Sequence, residues 1–314
     1  MSKKRRKGKA RSGYRSPPRA REVRAAPARS EVPPLLGWLS RGSGDSGWPS
    51  IPRSLARGAL TVGSSPALLL VPFLFVFAAW VALVTLGLEG PVLLLANMAA
   101  VPPVGTFFDL AIGESIFGQA SLVALTVTAG LIIARSAFFA VVSGLIVEAL
   151  EGAPSASAGL RRASRAIPAL LAVNVISFSA ILASRLILPL LGPQFAFLGS
   201  ILVLAAVVYY LAAVPAAAIR EGRGVQETLR RSARAAAMPG SRHLILSVIY
   251  VFVAYPPLIL FTPHSNELSV NPFLATWIYA LVAAFIHMSF LAAFCYRWMA
   301  IEPEVPAQPV PRRR

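Results

Sequence analysis

At 314 residues with 56% hydrophobic and only 14% charged residues, the chain is far more apolar than an ordinary soluble domain. Its net charge of +17 would suit a nucleic-acid surface if spread evenly, but it is concentrated in tails and loops, which disfavours that partner. The single cysteine, Cys295, lies in an apolar segment, which excludes a disulfide framework and a cysteine-based metal site.

Residues 1–50 are rich in Arg, Lys, Ser, Pro and Gly, with every lysine of the chain inside KKRRKGK near the start. So few large apolar residues cannot bury a core, and a disordered basic cytoplasmic tail is expected. A cleavable signal peptide is not, because the basic stretch is too extended and the apolar run that starts at Ala67 is too long.

A helix needs about 20 apolar residues to cross a bilayer core. Six stretches within residues 51–300 qualify: 67–88, 120–149, 167–190, 195–219, 243–262 and 272–299. The stretch 91–105 is short and interrupted by Pro102-Pro103, so it reads as an external interfacial or re-entrant piece. Lys and Arg sort by compartment. Of the 30 basic residues, 15 lie in the first 57 positions, and most others fall in the loops 151–166 and 219–243 or at the C-terminus. The segments 89–119 and 263–271 carry Glu89, Asp109, Glu114 and Glu267 but no Lys or Arg. Short cytoplasmic loops retain basic residues and translocated ones lack them, so both termini are expected inside the plasma membrane. Residues 301–314 are expected to form a second disordered tail. The fold class expected is therefore all-α, a polytopic membrane helix bundle with six spans.

The two basic loops resemble each other. The first reads EGAPSASAGLRRASRA from Glu151 and the second EGRGVQETLRRSARA from Glu221. They share a Glu-Gly opening and a Leu-Arg-Arg-x-x-Arg-Ala core, with a weaker third copy at SLARGAL (54–60). Each unit reads as a spanning helix, a glycine turn, a short amphipathic helix and the next span. In the second loop helix Val225, Leu229, Ala233 and Ala236 share a face, Arg230, Arg231 and Arg234 lie elsewhere, and Glu227 stands four residues before Arg231, a favourable pairing. In the first, Leu160, Ala163 and Ile167 oppose Arg161 and Arg165, with Arg162 between. Such helices should lie in the inner interface with arginines reaching the phosphates of anionic phospholipids. A membrane or cytoplasmic protein is the other candidate partner.

This plan resembles the six-helix membrane domain joined to some bacterial glycerophosphodiester phosphodiesterases, and related families. The resemblance covers about residues 50–300 and rests on layout and the loop motif. It implies a multi-helix membrane module and brings no catalytic residue, because the soluble phosphodiesterase domain has no counterpart here.

Within the spans, Arg135 stands near the middle of the second, and an intramembrane arginine is by default a functional hypothesis. It could meet an anionic solute or head group, or pair with Asp109 or Glu114. His287 in the sixth span and Asn174 in the third could hydrogen-bond between helices, and His287 could also relay protons. Tyr255-Pro256-Pro257 should break the fifth helix. Ser136, Ala140 and Gly144 offer a small-residue packing face. No span holds an Asp or Glu away from its ends, and nucleotide, zinc and intramembrane-protease motifs are lacking. A non-enzymatic protein without cofactor or metal is expected, organising anionic lipid or partner proteins at the cytoplasmic face. The alternative is a permease or channel for a small or anionic solute around Arg135 and His287.

Overall fold

Long runs of Leu, Ala, Val and Phe without charged interruption can satisfy their backbone hydrogen bonds only locally in an apolar surrounding, and helix follows. The structure, a computed structural model, describes residues 48–85, 122–152, 155–238, 241–254 and 272–304. Their regular structure is helical, with no strand among them. The α-helices are α1 (Ile51–Gly63), α2 (Ala67–Thr85), α3 (Leu122–Glu151), α4 (Ala156–Ile187), α5 (Pro193–Leu211), α6 (Val214–Glu221), α7 (Val225–Ala237), α8 (His243–Ala254) and α9 (Pro272–Ile301). Most of the basic tail, the outer segment with Asp109 and Glu114, the Tyr255-Pro256-Pro257 break and residues 305–314 lie outside the described residues.

Among the described residues, four segments are long and apolar enough to cross a membrane: Ile132–Glu151, Ala156–Leu191, Leu198–Glu221 and Leu281–Ile301. A fifth is added if α1 and the start of α2, bent by 78° at their junction, count as one span. The surface supports a membrane setting. Leu70, Leu74, Ile133, Leu186, Ile187, Leu190, Leu202 and Phe252 are exposed, far more apolar surface than a soluble monomer tolerates.

The core is built on close helix approach. α3 and α4 form a hairpin, and α1 lies along α9. A Cβ on Gly144 of α3 would sit 2.6 Å from the Gly159 carbonyl oxygen of α4, so only glycine permits that spacing. Ser136, Ala140 and Gly144 are all buried on this face. Gly58 of α1 likewise lies directly against the Ser289 and Ala293 backbone of α9. Short α6 is a hub: Val214 to Ile219 are all buried, and it touches α3, α4, α7 and α9.

The loop units differ from expectation in one respect. The first amphipathic segment and the third span are not separate helices; they form the single 32-residue α4, with Pro168 inside it. The second unit does break, after Ala237 of α7 and before His243 of α8, where Pro239-Gly240 stands in the sequence. The chain before α1 also differs. Trp48 falls within the segment assigned to the tail, yet it is buried against the bundle.

Candidate functional site

Charged side chains gather at one end of the bundle. α3 ends at Glu151 and α6 at Glu221, and each is followed by a glycine in the left-handed region, Gly152 (φ 77°) and Gly222 (φ 59°). Glycine reaches that conformation without steric cost and reverses the chain within a few residues. The glutamate just before each glycine then captures the middle arginine of the following helix. Arg162 lies 2.8 Å from Glu151 Oε2, and Arg231 lies 3.0 Å from Glu221 Oε2. The same ion pair thus staples the same turn in both loops.

The two staples are joined. Glu151 also accepts from Arg220 Nη1 at 2.6 Å, and Arg220 Nε donates to Glu302 Oε2 at 2.6 Å. Arg231 Nη2 donates to the Glu302 carbonyl at 3.2 Å and stands over the Trp298 ring at 5.9 Å. Glu148 adds a second carboxylate to Arg162 at 3.2 Å. Carboxylates from α3, α6 and the end of α9 are therefore neutralised by arginines from α4, α6 and α7.

This geometry separates the arginines singled out by sequence. Arg162 and Arg231 turn to their glutamates, Arg162 with 39% of its side chain exposed and Arg231 with only 4%. The expected Glu227–Arg231 pair is not made: Glu221, Trp298 and Glu302 draw Arg231 the other way, while Glu227 lies 3.9 Å from Arg234. Arg161, Arg165 and Arg230 are exposed, and Arg234 is half-buried. α7 is also tied to its neighbour α5. The Tyr209 hydroxyl donates to the Ala236 carbonyl at 2.8 Å, and Ser232 donates to the Tyr210 carbonyl at 2.7 Å, fixing it to α5.

No family model, curated protein or solved structure matches this chain. Its chemistry is therefore read from its own geometry.

Two further arginines, absent from the sequence-derived set, organise the same end. Arg220 is the bridge just described. Arg297 of α9 is buried, lies 5.1 Å over the Trp48 ring, and donates to the carbonyls of Pro49 and Ser241 and, at 3.3 Å, to Ser54 Oγ. It ties the chain before α1 and the chain before α8 to the last helix. The available signal was an arginine just inside the end of the last apolar segment, with a tryptophan just before α1.

Deeper in the bundle lies a second polar group of residues. Arg135 is 3% exposed, His287 1% and Asn174 3%. Asn174 Nδ2 donates to Ser136 Oγ at 2.6 Å, and Ser136 in turn donates to the Ile132 carbonyl at 2.7 Å. His287 Nδ1 and the Tyr250 hydroxyl are 2.9 Å apart, and Arg135 lies within electrostatic range of His287. Asn174 thus links α4 to α3, and His287 links α9 to α8. These two side-chain hydrogen bonds are the kind that join helices in a bilayer.

Proposed function

We propose that this chain is a six-span, non-enzymatic integral membrane protein whose inner face gathers anionic phospholipid. The observation that carries the reading is the sorting of charge at one end of the bundle. Glu148, Glu151, Glu221 and Glu302 pair with Arg162, Arg220, Arg223 and Arg231, while Arg161 and Arg165 are exposed, with no described carboxylate within ion-pair distance. Each basic residue near an anionic leaflet contributes about 1 kcal/mol. In this reading both termini lie in the cytoplasm, the membrane is the plasma membrane, and the Glu-Gly…Leu-Arg-Arg units are repeats of one ancestral module. The likeness in layout to the membrane domain joined to some bacterial glycerophosphodiester phosphodiesterases fits the same proposal. A protein partner would use the same outward arginines.

The alternative, a permease around Arg135 and His287, is less well supported. Among the described residues both side chains are buried between packed helices, Arg135 at 3% exposure and His287 at 1%. A permease also needs a group whose contacts change during transport, and Asn174, Ser136, Tyr250 and His287 are engaged with one another.

Reconstituted full-length protein tests the reading. Lipid retained through purification should be enriched in phosphatidylglycerol over phosphatidylcholine, and the enrichment should weaken as salt rises, because exposed charges are screened beyond a Debye length of about 8 Å at physiological ionic strength. Equal retention of the two lipids at low salt would dismiss it. Orientation is tested by an impermeant maleimide on intact cells. Cys295 is buried and gives little background, and cysteines placed at Leu160 or Leu229 should stay unlabelled.

A further inference from the structure

Within the lipid-binding reading, on which this step rests, the two loop units are not equivalent. In the second, Glu227 lies 3.9 Å from Arg234 and offsets part of its charge. The matching position in the first unit is Ala158, and no described carboxylate lies within ion-pair distance of Arg161 or Arg165. These two exposed arginines stand one helical turn apart on α4. Like charges at that spacing repel, so an anion placed between them relieves an unfavourable contact as well as forming new ones.

The surface below them has the length and chemistry of a lipid. Pro168, Val175, Ile176, Leu186 and Ile187 are exposed along the same helix. From Pro168 to Ile187 the rise is about 30 Å at 1.5 Å per residue, the thickness of a hydrocarbon core. The arginines therefore begin where that apolar stripe ends. Their aim is fixed, because α4 runs unbroken through Pro168 and Arg162, between them in sequence, is held by Glu148 and Glu151.

We propose that Arg161 and Arg165 form a seat for the phosphate of one anionic phospholipid whose acyl chains lie along the exposed stripe of α4. Charge complementarity selects an anionic headgroup over a zwitterionic one, and the stripe selects a lipid over free phosphate.

The test is native mass spectrometry of the full chain in detergent, titrated with phosphatidylglycerol or phosphatidylcholine of matched chains. The wild type should hold one phosphatidylglycerol in preference to phosphatidylcholine. Arg161→Gln/Arg165→Gln should reduce that preference roughly tenfold or more, as expected for the loss of two cations at an anionic surface. Arg230→Gln should reduce it less. Both replaced arginines are exposed, so the thermal midpoint of the double variant should match the wild type and confirm that it folds. Inorganic phosphate at millimolar concentration should not displace the lipid; displacement would overturn the role of the stripe. A wild-type preference that survives in the double variant would overturn this seat alone. No preference in the wild type would remove the seat and the broader reading together.

Discussion

Replacing Gly144 with alanine tests whether the α3–α4 hairpin is set by backbone contact. The added Cβ would lie 2.6 Å from the Gly159 carbonyl oxygen and 3.2 Å from its carbon. Both are backbone atoms, so no rotamer change relieves the clash and the helices must separate. Separation also strains Asn174–Ser136, the hydrogen bond that joins the same two helices at 2.6 Å. Overpacking of this kind costs about 1–3 kcal/mol, and rigid partners place the expected loss near the upper end, about 2–3 kcal/mol. At about 2–4 °C per kcal/mol, the midpoint of thermal unfolding should fall by about 5–10 °C. Gly130 supplies the control on the same helix, since a Cβ there meets nothing within 4 Å. The assay is the heated fraction that stays monodisperse in detergent, followed by size-exclusion chromatography. Gly144→Ala and Gly130→Ala with equal midpoints would refute the claim that glycine sets this interface.

The remaining predictions probe the charged end and the polar layer. Arg231→Leu should destabilise by about 1–3 kcal/mol, because Glu221, whose side chain is 6% exposed, loses its buried partner and keeps only the more exposed Arg223 at 2.8 Å. Adding Glu221→Gln should recover part of that loss in a double-mutant cycle, whereas additive losses would show that the pair is not coupled. Tyr250→Phe removes the contact to His287 and should cost about 0.6–1.7 kcal/mol in a denaturant series, with wild-type stability counting against the hydrogen bond. Trp48→Ala should expose the segment before α1 to limited proteolysis by removing the ring beneath Arg297; an unchanged cleavage pattern would deny the ring that role.

The all-helical architecture was legible because hydrophobic runs of spanning length have few other outcomes. Arg135, His287 and Asn174 were also legible, since polar groups in such runs are conspicuous. The loop motif was visible too, but not the different work of its arginines. A helical wheel placed Arg230, Arg231 and Arg234 together on the polar side, and it had no means of knowing that Glu221 and Trp298 arrive from other helices. The glutamate in each Glu-Gly opening was the clue, because it belongs to the shared motif and carries the charge its arginine requires. The continuity of α4 was hidden by the change from a charged amphipathic pattern to an apolar run at residue 167, although the helix carries on through Pro168. Arg297 and Trp48 were hidden by distance along the chain.

That distance bears on how the protein is made. Arg297 reaches Ser54 across 243 residues and the Pro49 carbonyl across 248. At a synthesis rate of about 5–20 residues per second, α1 waits roughly 10–50 s for its main partner to emerge. Throughout that interval its face meant for α9 must rest on lipid or on a chaperone. Closure of the bundle is therefore a late event in biogenesis, and chains that stall before α9 will display this helix to quality control.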